Sequence, residues 1–263
     1  MPKFVSDNPE ASKPPEADGH SDRETRLHQW FQSYLGKRLV AEQTRCVTDI
    51  MKAKFGQHLI QLDSGLQDPL IQKPPVGCMS LMSRVDNRAA CPVIRGVPEH
   101  LPLRPEAIDH VLLHHTLDYC EDPYQALRES EQVLVSGGYV IVVGFSPFSF
   151  WGIRRLLQWN AKRTQPWNGR FLSVNRVQDW LNVLGLEVQS HYTLAHWLPV
   201  SSPVLADKLG WFNTLIAWML PQQGGCYVLV AQKRTPGMTL TGSKWRKISA
   251  RPPIQRANIR NES

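Results

Sequence analysis

Two short apolar runs, Ile108 to Leu113 and Tyr139 to Val143, flank a stretch whose hydrophobic positions recur every three to four residues. Runs of this length, rich in leucine and β-branched residues, suit strands buried on both faces and are too short for a globular helix. Between them Ala126, Leu127, Ser130, Val133 and Leu134 share one helical face, while Arg128, Glu129 and Gln132 point away. Asp122 before Pro123 is a helix start, a capping carboxylate followed by a residue whose fixed φ suits the first turn. Gly137 and Gly138 are expected to stop the helix, because a left-handed residue costs glycine little. A strand, a covering helix and a second strand make a βαβ unit with parallel pairing.

The same reading extends along the chain. Residues 1–22 carry Pro, Ser, Asp and Glu with almost no large apolar groups and are expected to be disordered. Residues 23–56 show two amphipathic stretches, Leu27 to Leu35 and Leu39 to Met51, predicting a helical cap that Gly36 divides in two. From 57 to 234 lie further strands at His58–Leu62, Cys78–Met82, Val93–Ile94, Leu186–Tyr192 and Cys226–Ala231, with a helix over Val174–Leu184 that Gly185 ends. A second apolar helix is expected over 204–221, too short and too charged at one end to span a bilayer.

Charge changes the picture less than its size suggests. The formal net charge is +7, but residues 233–263 hold eight cations against Glu262 alone, so this tail supplies all of it. A neutral body with a basic tail gives no sign of a nucleic-acid groove, and no specific nucleic-acid partner is expected. With Pro236, Gly237, Gly242, Pro252 and Pro253 among the cations, residues 235–263 are expected to be a disordered basic tail. The five scattered cysteines form no CxxC pair and no metal-ligand set. They predict reduced thiols and a cytoplasmic protein, and no secretory leader is expected.

The ordered run LPL..EAIDHVLLHHTLDYCEDPYQALRESEQVLVSGGYVIV resembles the second half of the class I S-adenosylmethionine-dependent methyltransferases, in the type 11 branch. There the family shows LPF, an FD strand, a turn with an E-H-like pair, DP, a helix, LKPGG and a strand. The likeness is close from 101 to 143 and weaker from about Leu59 to Lys233. It implies an α/β fold with a doubly wound, mostly parallel seven-stranded sheet, a reversed last pair of strands, and substrate-side helices over 151–224.

The resemblance also implies a cofactor, S-adenosylmethionine, and places for its contacts. Asp63, Ser64 and Gly65 stand at the start of the family's acid-x-Gly-x-Gly-x-Gly turn, but Gln67 and Pro69 replace the later glycines. Ser83, followed by Arg84, replaces the acid expected at the end of the second strand, with Asp86 the nearest carboxylate, and Val97 followed by Pro98 replaces an aspartate. His114 lies under the cofactor in this reading. His114 and His115 are also candidates for a general base, since imidazole titrates near working pH, with Asp118 and Glu121 read as equally able to be solvated.

Seven of the nine tryptophans fall in 151–218, which reads as a core under added helices, as a side for an apolar or aromatic substrate, or as contact with a membrane surface carrying that substrate. Two function classes stay open. One is a methyltransferase acting on an unidentified acceptor, a small apolar or aromatic molecule; the other is a binding or scaffold protein that kept the fold and lost the cofactor. No G-x-G-x-x-G follows a strand, so a nicotinamide enzyme is not supported. Removing residues 235–263 should leave the melting temperature nearly unchanged and lower retention on heparin at low salt, whereas a fall of several degrees would show that the tail docks.

Overall fold

In the computed structural model, residues 17–63, 65–66, 68–84, 89, 91–157, 166–200 and 224–234 are described. At its centre β4 (Ile108–His114) pairs in parallel with β1 (Gly56–Asp63) on one side and β5 (Leu134–Phe145) on the other. Beyond β1 lie β2 (Val76–Ser83) and β3 (Val93–Arg95), and beyond β5 lie β7 (Cys226–Lys233) and β6 (Leu186–Leu194). The order is β3-β2-β1-β4-β5-β7-β6, parallel except for β7, which runs antiparallel to both neighbours. This is the doubly wound, mostly parallel seven-stranded α/β sheet expected, with β4 and β5 away from either edge.

Alternate residues of the central strands feed two cores. Leu59, Leu112, Ile141, Val143, Phe145, Val228 and Val230 face α1 (Ala17–Phe31) and α2 (Tyr34–Met51). Ile60, Leu62, Val111, Leu113, Val140, Val142 and Leu229 face α4 (Pro123–Val133) and α6 (Val174–Val183). A short helix, α3 (Thr116–Tyr119), follows β4, and α5 (Phe150–Leu157) follows β5. Among the described residues no helix is long and apolar enough to cross a membrane. The expected helix over 204–221 and the basic tail lie outside the described residues.

Local chemistry explains most boundaries. The Asp122 carboxylate accepts from the N–H groups of Tyr124 and Gln125, each at 3.0 Å, and Pro123 opens α4 as expected. The far end differs. Leu134, fully buried, turns extended at once and pairs with Ile108, so β5 starts there and Gly137-Gly138 lie inside the strand. Gly137 has φ +81 and a Cβ on Gly138 would stand 2.8 Å from the Asp109 carbonyl oxygen, so the glycines admit a bulge rather than cap a helix.

The N-terminal cap differs too. α1 begins at Ala17, inside the stretch expected to be disordered, where acidic residues suit the positive start of a helix whose later turns dock on the core. The break between α1 and α2 falls at Gln32-Ser33, where the Ser33 hydroxyl caps the Gly36 N–H. Gly36 itself lies within α2, because a Cβ there would sit 2.3 Å from the Trp30 carbonyl oxygen; it lets two helices cross closely instead of separating them. Urea melts should show Leu112→Ala losing about 2–5 kcal/mol, as for a filled core site, and Asp122→Ala about 1 kcal/mol, as for a lost cap.

Candidate functional site

Parallel pairing brings the carboxyl ends of β1 to β5 to one edge of the sheet, with Asp63 opposite His114 and His114 opposite Val143. That is the edge where doubly wound sheets bind ligands. The turn after β1 leaves through Gly65, at φ +140, a conformation open to glycine and hardly to other residues. It is then pinned down. The buried Gln61 amide donates to the Asp68 carbonyl and accepts from the Leu70 N–H at 2.8 Å, while Leu66, Leu70 and Ile71 are buried in the core under α1 and α2.

The ends of β2 and β3 carry charge that the sequence reading placed only in part. Arg84, one residue past Ser83, donates to Glu99 at 2.9 Å and lies 3.9 Å from Glu24 of α1. The second Glu99 oxygen accepts from the Glu121 N–H at 2.7 Å. The Ser83 carbonyl accepts from Gly96, Val97 makes an isolated bridge with His100, and Pro98 is buried. Ser64, Gln67, Asp86 and the side chain of Asp63 lie outside the described residues.

β4 runs one residue further than expected, so His114 is its last member and is fully buried. His115 follows in the left-handed region at φ 52, fully buried and stacked on Phe145 at 4.1 Å. A non-glycine residue held there carries local strain of the kind that functional sites retain. Its Nδ1 donates to Asp118 Oδ2 at 2.8 Å, and the same oxygen accepts from the Phe145 N–H at 3.1 Å. Gln43, reaching in from α2, bridges both imidazoles, its Oε1 3.1 Å from His114 Nε2 and its Nε2 2.9 Å from His115 Nε2. This network assigns the protons: His114 donates to Gln43, Gln43 donates to His115, and His115 donates to Asp118.

Sequence reasoning brought His114 and His115 to this place but named no carboxylate partner and took Asp118 as equally able to be solvated. Asp118 is buried, whereas Glu121 is exposed. The spacing of Asp118 three residues after His115 was the available sign. Gln43, at 72 residues from His115, had none. Burial, then the neighbouring His114, holds the His115 imidazole well below its ordinary range; burial pushes the Asp118 carboxyl well up, opposed by the Phe145 N–H and the Arg155 charge. A neutral imidazole beside a buried carboxyl is the constellation of a proton acceptor with its orienting partner.

α1 lies over this edge. Phe31 packs on the rings of His114 and His115, and His28 Nδ1 stands 3.2 Å from the carbonyl oxygens of both Gly65 and Leu66. Of the tryptophans expected on a substrate side, Trp151, Trp167 and Trp197 pack together in the buried core, Trp180 lies on the opposite face of the sheet, and Trp159, Trp211 and Trp218 lie outside the described residues.

A methyltransferase-domain family matches residues 79–142, the span from β2 through β5 that builds most of this edge. Over that span the chain is similar to the methyltransferase domain, and the solved structures below share its fold. It is 36% identical over 164 residues to the uncharacterized protein YafS of Escherichia coli (strain K12), a match covering 62% of this chain and 63% of that protein. The chain thus spans less than two thirds of that relative. Among solved structures it is similar to an S-adenosylmethionine-dependent methyltransferase of Thermotoga maritima, described as a possible histamine N-methyltransferase. That match has a TM-score of 0.56 at 21% identity, covering 78% of this chain and 94% of the other. It is likewise similar to an S-adenosylmethionine-dependent methyltransferase of Archaeoglobus fulgidus, with a TM-score of 0.56 at 12% identity, covering 78% and 97%. At these identities the likeness concerns the fold.

The two buried titrating groups oppose one another with pH. An unfolded histidine binds a proton near pH 6.5 while folded His115 does not, so this contribution to stability is lost as pH falls from about 7 to 5. Asp118, raised in the folded state above its ordinary 3.8, binds a proton there first and acts in the opposite sense. Asp118→Asn removes the opposing group. Urea melts at pH 7, 6 and 5 should show this variant losing stability more steeply than the native chain, by up to about 1.4 kcal/mol per pH unit. Equal slopes would mean that folded Asp118 takes up no proton between pH 7 and 5.

Proposed function

We propose that the chain is an S-adenosylmethionine-dependent methyltransferase acting on a small-molecule acceptor, with its cofactor side at the edge formed by the turn after β1, the ends of β2 and β3, and the His114–Asp118 segment. The observation that carries this reading is the coincidence of the family pattern with one edge of the sheet, where Gly65 holds a glycine-only conformation beside the buried His114. In this reading Asp63, Ser64, Gly65, Ser83, Val97, Pro98 and His114 line the cofactor side. When bound, the cofactor supplies an electrophilic sulfonium methyl. Such a transfer asks mainly for alignment and exclusion of water, which buried walls provide.

His115 is assigned the role of proton acceptor, oriented by Asp118, acting through Nε2 once Gln43 gives way. The described residues fit the cofactor in part: the Gly65 turn is available in conformation, but its hollow is filled by α1. That filling favours a second reading, a binding protein that kept the fold without the cofactor. The five cysteines are free thiols, which supports a reducing compartment, the cytoplasm.

Calorimetry and thermal shift with S-adenosylmethionine and its demethylated product separate the two. In the first reading, free ligand at a hundred times its dissociation constant stabilises the chain by about 2.7 kcal/mol, and Asp63→Ala weakens binding. Absence of heat and shift at millimolar ligand would replace it with the second.

A further inference from the structure

We propose that the first three turns of α1, residues 17–28, are a built-in plug that occupies the cofactor's place over the β1 turn and is displaced when the cofactor binds. This rests on the methyltransferase reading of the edge. Four separate contacts put α1 there. A Cβ built on Gly65 would meet the Glu24 carbonyl oxygen at 3.0 Å and the Leu27 Cβ at 3.1 Å, so the hollow a glycine leaves for a ligand is filled by the chain itself. His28 Nδ1 faces two carbonyl oxygens, those of Gly65 and Leu66, at 3.2 Å each; since both can only accept, Nδ1 carries a proton and offers the donor that a bound ligand would otherwise bring. Glu24 lies 3.9 Å from Arg84 at the end of β2, where the resemblance places an acid. Arg23 donates to the Tyr119 carbonyl of α3 at 3.4 Å.

The same contacts show why the plug can leave. These polar contacts run from 3.2 to 3.9 Å, and the Glu24–Arg84 pair is partly open to water, so each of them is worth little. Leu27, fully buried, is the plug's one described apolar hold, and the other firm attachments lie at the far end. Trp30 and Phe31 press on Gly36 and on the aromatic cluster of Phe145 and Trp151, and Ser33 caps α2 independently. A hinge beyond His28 therefore frees the first turns without disturbing α2 or Gln43. Three undocked turns are too short to persist as a helix in water, so release amounts to local unfolding. Docking and cofactor then compete, and the apparent affinity falls by the fraction of time the plug is out.

The test uses the full chain and S-adenosylhomocysteine, followed by calorimetry and by amide hydrogen exchange of residues 18–28. Glu24→Ala with His28→Ala loosens the plug and leaves the residues assigned to the cofactor intact; an unchanged melt and circular dichroism spectrum confirm its fold. Saturating ligand should speed exchange across 18–28 in the native chain, and the double variant should bind about tenfold more tightly, with those amides already exchanging fast in its free form. Binding that leaves 18–28 equally or better protected, or that is no tighter in the variant, overturns the plug and leaves the methyltransferase reading standing. No binding by either protein overturns both.

Discussion

A single buried carboxylate ties the working edge of the sheet together. Asp118 takes the N–H of Phe145 at the end of β5 and the Nδ1–H of His115 just past β4, so the two central strands are fixed to each other beyond their own ladder. Burial makes that bond strong and its loss expensive, because a carboxyl without its partners in such surroundings is far costlier than one in water. It also explains the left-handed His115: two hydrogen bonds and a stack on Phe145 outweigh the strain of φ 52. Asp118 Oδ1 is left without a partner among the described residues, so the carboxyl keeps spare hydrogen-bonding capacity.

From that anchor the rest of the edge is closed from above. α2 enters through Gln43, which joins two imidazoles, and through Glu42, whose carboxylate accepts from Ala195 and from Trp197 Nε1 beyond β6. α2 thus spans from β4 to the loop after β6 with polar groups satisfied at both ends. α1 is held differently. It reaches the edge through Leu27, Phe31 and the long polar contacts of Arg23, Glu24 and His28. One helix is therefore a structural wall and the next a cover, though both read as the same amphipathic stripe.

That distinction marks the limit of what the sequence made legible. Strands β1 to β7, the Asp122 cap and the parallel pairing of β4 with β5 could be read because they rest on periodicity and on residues adjacent in the chain, while the order of the whole sheet came from the family resemblance. The start of β5 was misplaced because two glycines signal a stop whether they end a helix or admit a bulge, and only the pairing of Leu134 with Ile108 decides. Gly36 misled in the same way. His114 and His115 were visible as the residues past an apolar strand. Gln43, Glu24 and His28 were not, because each acts across dozens of residues and sits on a helix whose polar positions look solvated.

The turn after β1 joins these threads. In the resembled pattern three glycines let the backbone itself close around a ligand. Here one glycine remains, and the turn is held by other means: the Gln61 amide clasps Asp68 and Leu70, and Leu66, Leu70 and Ile71 are drawn into the core. A turn anchored so firmly gives up freedom to adjust to what it binds, and among its described residues Gly65 and the carbonyl of Leu66 face α1. Those are the groups that Glu24, Leu27 and His28 cover. The loss of the later glycines and the presence of the helix above are thus one arrangement, in which shape complementarity at the turn is supplied by the chain's own α1.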